Sequence, residues 1–261
     1  TSFQPPQEHI QSSVRLNLPG SGLPYVETPA KVTGNDQFTP SPGINEWFET
    51  IKINYGVDKQ GNNKPYFDPI PKAWEKMRDV LIFWTRKRVD GFRCDMAQMV
   101  PVEFWNWVIP QVKAVNPDVK FIAEIYNPSQ YGNYSSKDGF DLLYDKVQLY
   151  DTIRLLMKGR SESTAIDQIQ QSLKSLDGKM LHFMENHDEM RIASKQFAGN
   201  AWLGVPGMVI SATIDKGPVL IYFGQEVGEP GAGVEGFGGD DGRTSIMDYW
   251  GVPEHQKWMN Y

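Results

Sequence analysis

The sequence predicts an α/β fold built on a parallel β-sheet. From Pro71 onward, apolar segments typical of strands alternate with amphipathic segments typical of helices. Such alternation places parallel strands side by side, joined by right-handed crossovers. The predicted strands are apolar on both faces, as buried parallel strands are. Two architectures satisfy this pattern, a doubly wound open sheet and a (β/α)8 barrel of the TIM-barrel type.

The first 71 residues differ in composition from the rest of the chain. They hold ten of its eighteen prolines and many Gly, Asn and Ser residues. The segments SSVRLNL and PYVETPAKVTG alternate polar and apolar residues, which predicts one or two hairpins. Because no helical periodicity of useful length occurs here, we expect residues 1–71 to form an irregular segment on the surface.

The predicted helices and strands follow one another from residue 71 to residue 226. Helices are expected at 71–88, 101–115, 145–159, 162–176 and 200–214, and strands at 89–96, 119–126, 140–145, 179–186 and 217–226. Apolar residues at helical spacing predict one apolar face for the first helix, formed by Trp74, Met77, Val80, Leu81 and Trp84. Pro110 predicts a kink in the second helix, because proline removes a backbone hydrogen bond.

The one Gly-rich loop argues against a dinucleotide-binding sheet. A Rossmann-type fold carries GxGxxG directly after its first strand and opens a helix with it. Here the Gly-rich segment 231–242 follows the last predicted strand, with neither a helix nor an acidic ribose partner after it. This segment is better interpreted as a mobile loop or a lid.

Charge and hydropathy exclude several classes of partner. The net charge is −6, and no basic run exceeds Arg86-Lys87-Arg88, so a nucleic-acid partner is not expected. No apolar run approaches the ~20 residues of a membrane span. The single cysteine excludes an internal disulfide. The first residues lack both an initiator Met and a signal peptide's features, so we expect the chain to begin inside a longer gene product or after processing.

Acidic residues stand at the C-terminal ends of three predicted strands. Asp95, Glu124 and Asp188 would converge on one face of a β/α barrel. Converging carboxylates suit glycoside cleavage, in which one attacks the anomeric carbon and another protonates the leaving oxygen. They also suit metal-assisted hydrolysis, but the four histidines form no HxH or HExxH pair. Arg93, two residues before Asp95, favours an ionised nucleophile.

Five segments together resemble the α-amylase family, glycoside hydrolase family 13. DGFRCDM resembles the family's GFRxD motif, FIAEIY its acid/base strand, and FMENHDE its NHD motif. GPVLIYFGQE is similar to the eighth-strand GxPxxYYGxE, and NEWFETIKINYG resembles the segment leading from the protruding third loop to strand four. The resemblance, which begins at about residue 44, favours the (β/α)8 barrel over the open sheet.

The resemblance implies roles for six residues. Asp95 would be the nucleophile, Glu124 the general acid/base, and Asp188 the third catalytic carboxylate that grips sugar hydroxyls. The substrate-binding residues would be Arg93, His187 and Tyr126. Simpler structural roles stay open beside these: an ion pair for Asp95 or Glu124, and a helix N-cap for Asp188.

Two departures from the family pattern matter. Gln98-Met99 stands where the family commonly has Lys-His, which serves the leaving-group subsites and a nearby calcium ion. We expect no cofactor, and a structural calcium ion is an alternative that this departure disfavours. The family's DxxxNH motif of strand three is absent. We therefore expect a barrel truncated to about strands four to eight over residues 72–261, with residues 1–71 corresponding to the protruding subdomain after strand three.

These observations predict a retaining glycosidase acting on α-1,4-glucans such as starch, glycogen or maltooligosaccharides. The alternatives are an α-glucan transglycosylase of the same family and a non-catalytic carbohydrate-binding or scaffold protein; a metal-dependent hydrolase is a third. The expected partner is an α-glucan oligo- or polysaccharide, with neither nucleic acid nor membrane. Five strands cannot close an eight-stranded barrel, so we also expect little activity from this chain alone, and self-association through its unpaired edges.

Overall fold

The computed structural model describes residues 14–17, 24–27, 33–38, 46–47, 50–59, 62–176 and 178–231. The chain divides into two compact units, Thr1–Asp90 with Met99–Val119, and Gly91–Gln98 with Lys120–Tyr261. The Gly-rich segment predicted at 231–242 lies outside the described residues, apart from Gly231. Among those residues, none of the helices combines the length and the apolar character that crossing a membrane requires.

The first unit begins with two small antiparallel pairs. β1 (Val14–Asn17) pairs with β2 (Pro24–Glu27), so that Val14 faces Glu27 and Asn17 faces Pro24. β3 (Val57–Asp58) pairs with β4 (Lys64–Pro65). The hairpin predicted from the alternation of SSVRLNL and PYVETP is therefore confirmed.

Two helices of the first unit pack through aromatic side chains. α1 spans Lys72–Arg86 and α2 spans Val102–Lys113, continuing through Pro110. The Trp74 ring lies 5.6 Å from the rings of both Phe104 and Trp107. Its indole N–H donates to the Tyr55 carbonyl at 3.0 Å, so this large side chain is buried with its polar atom satisfied.

The predicted apolar face of α1 is only partly right. Trp74 and Thr85 are buried, whereas Val80 and Trp84 are half-exposed. Residues 74, 81 and 85 lie in one line along a helix of 3.6 residues per turn, and 80 and 84 lie to one side of it. Thr85 tolerates burial because its hydroxyl donates to the Leu81 carbonyl at 2.8 Å.

The second unit contains a five-stranded sheet in which every strand is parallel to its neighbour. The order follows the chain: β5 (Gly91–Cys94), β6 (Lys120–Ala123), β7 (Leu142–Tyr144), β8 (Met180–Phe183) and β9 (Val219–Leu220). This confirms the parallel α/β fold. The strands are shorter than predicted at both ends, and the difference is largest for β9, which has two residues against the ten predicted.

Helical segments connect the strands of the second unit. They are α3 (Tyr131–Tyr134), a π-helical turn (Lys146–Tyr150) that runs into α4 (Asp151–Met157), α5 (Thr164–Ser172) and α6 (Ala201–Thr213). The π turn was not predicted. The Asp145 carboxylate accepts the Leu149 N–H at 3.0 Å, which caps the wide turn. Asn200 caps α6 in a similar way by accepting the Leu203 N–H.

The register divides the sheet residues between two faces. Because side chains alternate along a strand, Arg93, Ile122, Glu124 and Tyr144 share one face. The opposite face carries residues that are almost completely buried, namely Phe121, Ala123, Leu143, Met180 and His182. The first face therefore carries the residues predicted to be functional, and the second is part of the core.

Candidate active site

One guanidinium joins the two predicted catalytic carboxylates. Arg93 Nη1 contacts the Asp95 carboxylate, and Arg93 Nη2 lies 2.9 Å from Glu124 Oε1. Asp95 follows the last residue of β5, and Glu124 follows the last residue of β6, so neighbouring parallel strands deliver both side chains to the same end of the sheet. The Asp95 and Glu124 carboxylates therefore lie side by side.

Tyr144 of β7 fixes the orientation of this guanidinium. Arg93 Nε donates to the Tyr144 hydroxyl at 3.3 Å, and the guanidinium lies 5.2 Å from the centre of the same ring. Partial burial by itself lowers the pKa of Arg93. The hydrogen bonds with Tyr144 and Asp95 and the charge of Glu124 outweigh it and raise the pKa, so Arg93 stays cationic.

The two carboxylates differ in their exposure to solvent. Glu124 is 2% exposed, and Asp95 is 69% exposed. Glu124 Oε2 accepts the Met96 N–H at 2.7 Å, and Oε1 accepts the Tyr126 hydroxyl at 2.8 Å. Glu124 is thus held on both oxygens by protein donors, while the Asp95 side chain is mostly open to solvent.

Met96 supplies its N–H through an uncommon backbone conformation. Its φ is +41°, in the left-handed region that side chains other than glycine rarely adopt. The chain turns there immediately after Asp95, and the turn points the Met96 N–H at the Glu124 carboxylate. A local backbone feature therefore links the predicted nucleophile to the predicted acid/base.

Tyr126 contacts the predicted acid directly. Burial raises the pKa of Tyr126, and the hydrogen bond to Glu124 and the charges of Asp188 and Glu189 raise it further. Its hydroxyl therefore remains a hydrogen-bond donor at neutral pH. The sequence predicted a substrate-binding role for Tyr126, and the structure adds a contact with Glu124 that the sequence did not indicate.

Gln98 joins the segments that follow β5 and β6. Its side-chain oxygen accepts the N–H groups of Tyr126 at 3.0 Å and Asn127 at 3.2 Å. Because two N–H donors occupy that oxygen, Gln98 does not fit a calcium ligand. Within the described ranges, no three His, Cys, Asp or Glu side chains are grouped closely enough to hold a metal ion.

Asp188 and His187 lie just beyond β8. His187 Nε2 is 3.2 Å from Asp188 Oδ2, and the two side chains are 51% and 48% exposed. The Asn186 side chain accepts the N–H groups of both Asp188 and Glu189 at 2.8 Å. Asn186 therefore caps this turn, and the Asp188 carboxylate stays available on the surface while its charge acts on Tyr126.

A buried ion pair supports the end of β8 from within the core. Arg191 Nη1 lies 2.9 Å from Glu185 Oε2, and both side chains are fully buried. The guanidinium lies 4.3 Å from the centre of the Tyr222 ring. Burial raises the pKa of Glu185 to about 7, against the opposing effect of Arg191. The sequence did not indicate this pair, because two charges six residues apart have no distinctive pattern.

Two known proteins are similar in sequence to about 70% of this chain. The chain is 28% identical over 193 residues to an alpha-1,4-glucan:maltose-1-phosphate maltosyltransferase of Cereibacter sphaeroides, covering 70% of this chain and 31% of the relative. It is 23% identical over 210 residues to alpha-amylase 3 of Dictyoglomus thermophilum, covering 71% and 40% respectively. The chain therefore spans less than half the length of these relatives.

The fold of a solved structure agrees with these relatives. The crystal structure of an alpha-amylase from Geobacillus thermoleovorans, complexed with acarbose, superposes with a TM-score of 0.55 at 22% identity. The superposition covers 75% of this chain and 44% of that one. The family model of the alpha-amylase catalytic domain matches residues 69–248, which is well over half of the chain. The chain therefore belongs to the alpha-amylase catalytic-domain family.

Proposed function

We propose that this chain contributes the catalytic carboxylates of a retaining glycosidase that acts on α-1,4-glucans. The observation that carries the proposal is the pairing of Asp95 and Glu124 on the Arg93 guanidinium. In retaining enzymes the two carboxyl groups are about 5–5.5 Å apart, close enough for one to attack while the other donates a proton. The names of the relatives, an amylase and a glucan maltosyltransferase, support the substrate class.

In the first step the exposed Asp95 carboxylate attacks the anomeric carbon of an α-linked glucose. The bond from that carbon to the leaving oxygen breaks, and a proton from Glu124 passes to that oxygen. The product is a glycosyl ester of Asp95 with inverted configuration. As an acid, Glu124 must carry a proton on one oxygen, and Oε2 is the one that can hold it because Oε1 already meets Arg93 and Tyr126.

In the second step Glu124 acts as a base. It takes a proton from a water molecule, whose oxygen attacks the anomeric carbon as the ester bond to Asp95 breaks. Two inversions restore the α configuration. Asp188, exposed beyond β8, would hold sugar hydroxyls during both steps with His187 beside it. When the ester bond breaks, the Asp95 carboxylate becomes negatively charged again, and the positive charge of Arg93 beside it stabilises that form.

Transfer to a sugar is the second candidate outcome. The relative from Cereibacter sphaeroides is named as a maltosyltransferase, and the chemistry differs only in which hydroxyl Glu124 deprotonates in the second step. A glucan hydroxyl in place of water gives a transglycosylase. Product analysis with maltotetraose distinguishes the two, because transfer yields chains longer than the substrate and hydrolysis yields only shorter ones.

Azide rescue in the full-length protein tests the assignment of the two carboxylates. Glu124→Gln should lower kcat on maltotetraose by about 100- to 10,000-fold, because it removes proton transfer and preserves shape. With α-maltosyl fluoride and azide, Glu124→Ala should yield the α-maltosyl azide, since azide attacks the Asp95 ester. Asp95→Gly should yield the β-maltosyl azide, since azide replaces the nucleophile. The same anomer from both variants would contradict the assignment.

A further inference from the structure

We propose that Gln98 is a positioning residue for the acid/base Glu124 and that it acts through Tyr126. This inference rests on the proposed function and adds a specific residue to it. Gln98 belongs to the 3₁₀ turn Ala97–Met99, which follows Asp95, and it reaches across to the segment that follows β6. It touches neither carboxylate in any hydrogen bond of the structure, so its effect must pass through other groups.

The backbone first brings the two segments together. The Glu124 N–H donates to the Cys94 carbonyl at 3.1 Å, and the Ala97 N–H donates to the Glu124 carbonyl at 3.0 Å. These bonds extend the β5–β6 ladder past the ends of the strands. They place Gln98 opposite Tyr126. At this point the backbone ladder has ended, and the Gln98 side chain provides the next hydrogen bonds between the two segments.

The Gln98 side chain then fixes the backbone that carries Tyr126. Its oxygen accepts the N–H groups of Tyr126 and Asn127, two consecutive residues, so it acts as a cap for the turn. Asn127 is exposed and can replace this bond with water, but Tyr126 is partly buried. Removing the oxygen would leave the partly buried Tyr126 N–H without its acceptor, so this segment would rearrange.

The orientation of Tyr126 matters because its hydroxyl hydrogen-bonds the proposed acid, Glu124. Tyr126 lies two residues after Glu124, and its hydroxyl donates to Glu124 Oε1 at 2.8 Å. Arg93 also lies next to Oε1. With Tyr126 and Arg93 both at Oε1, Oε2 is the Glu124 oxygen left to hold the transferable proton. The path of influence runs from Gln98 to the Tyr126 backbone, to the phenol and to Glu124.

Two substitutions of similar size separate the oxygen from the bulk of the side chain. Gln98→Met keeps the length and removes the acceptor, whereas Gln98→Glu keeps an acceptor oxygen. We expect Gln98→Met in the full-length protein to lower kcat on maltotetraose by up to about 100-fold, the cost of misplacing a catalytic group by about 1 Å. KM should change little, and Gln98→Glu should retain most of the activity.

The leaving group distinguishes positioning of the acid from a general structural role. For α-maltosyl fluoride, kcat/KM reports the first step, in which fluoride leaves with little help from a proton, so kcat/KM of Gln98→Met should stay within about threefold of the wild-type value. Equal losses on both substrates would show that Gln98 merely supports the fold. Unchanged activity on both would show that Gln98 has no role in catalysis.

A measurement that needs no activity keeps the inference separate from the proposed function. The protein is labelled with 3-fluorotyrosine, and the Tyr126 fluorine resonance is assigned with Tyr126→Phe. The resonance should move in Gln98→Met and stay in place in Gln98→Glu. A resonance unmoved in both variants overturns the inference. If the wild-type protein cleaves neither substrate, the proposed function fails, and the resonance still decides whether Gln98 positions Tyr126.

Discussion

Arg93 donates from Nε to the Tyr144 hydroxyl at 3.3 Å, across the strand that lies between them. Arg93 belongs to β5 and Tyr144 to β7, and β6 carries Glu124 between them. Of the remaining guanidinium nitrogens, Nη1 contacts Asp95, and Nη2 lies 2.9 Å from Glu124 Oε1 as an ion pair. Tyr144, which is 51 residues from Arg93 along the chain, therefore orients the guanidinium that contacts both carboxylates.

Removing this hydroxyl should weaken catalysis without unfolding the protein. Tyr144→Phe keeps the ring under the guanidinium and deletes a hydrogen bond to a charged group, so we expect kcat to fall on the order of 10-fold. The matched control is Tyr131→Phe, since among the described residues the buried Tyr131 hydroxyl has no hydrogen-bond partner. Steady-state kinetics on maltotetraose compares the two. Similar rates for both variants would contradict the role of Tyr144.

Asp188 and Asn186 should separate activity from stability. Asn186 caps the turn, so Asn186→Ala should lower the free energy of unfolding by about 1 kcal/mol, the usual value of a capping side chain. The half-exposed Asp188 makes a surface contact with His187, and such contacts add little stability, so Asp188→Asn should leave stability nearly unchanged while lowering kcat by orders of magnitude. Urea titration and kinetics measure the two effects. A large loss of stability in Asp188→Asn would show that Asp188 has a structural role.

His182 should make stability depend on pH. Its ring nitrogens lie 3.0 Å from Asp145 Oδ2 and 2.7 Å from Asp215 Oδ1, and the ring is buried. Burial alone lowers the pKa of His182, but the hydrogen bonds to Asp145 and Asp215 outweigh it and raise the pKa above 6.5. The folded state therefore binds the proton more tightly than the unfolded state does.

The sign of the effect follows from this difference. The stabilisation is fully present below about pH 6.5 and is lost as the pH rises through the higher folded-state pKa. Between pH 6 and pH 9 we expect the free energy of unfolding, measured by urea titration, to fall in the wild-type protein and to depend less on pH in His182→Gln. The matched control is His187→Gln, which changes a half-exposed histidine beyond the same strand.

The isolated 261-residue chain should self-associate. Within the described sheet, β5 and β9 each have a strand on one side only, and unpaired edges invite pairing with another chain. Four apolar residues of α6 are exposed as well: Trp202, Leu203, Val205 and Val209. Light scattering coupled to size-exclusion chromatography should report a mass above that of one chain.

Charges on α6 test which surface is responsible. Leu203→Glu with Val209→Lys should reduce the measured mass if α6 contributes to the association, whereas Gln168→Lys on the exposed side of α5 should not. A chain that is monomeric before any substitution contradicts the prediction. Activity of the isolated chain equal to that of the full-length protein would show that the predicted missing strands are unnecessary.

The sequence predicts which residues stand at strand ends better than it predicts what they touch. Asp95 and Glu124 each follow an apolar strand, and the rule that parallel strands deliver their C-terminal residues to one end was enough to place them together. Tyr144 was within reach of the same reasoning. It stands two residues after Leu142, so alternation puts both on one face of the sheet.

Other features depend on side-chain geometry that spacing does not encode. Gln98 differed from the family pattern, which signalled only that a contact was missing and not that its oxygen accepts two N–H groups. The extent of α1 was close to the prediction, but its buried face was rotated, because apolar residues lie on both sides of the contact line. The bounds of short strands such as β9 were poorly predicted, since two ladder residues leave little pattern.

The positive φ of Met96 restricts how this site can change through mutation. The constraint falls on the backbone, so the thioether could be exchanged for other groups while the N–H stays directed at Glu124. Asparagine and glycine adopt the left-handed conformation readily, whereas valine, isoleucine and threonine resist it. A combinatorial library at position 96 should therefore recover active clones sorted by conformational tolerance and not by polarity or size. We therefore expect position 96, beside the proposed nucleophile, to accept chemically varied side chains and to reject β-branched ones.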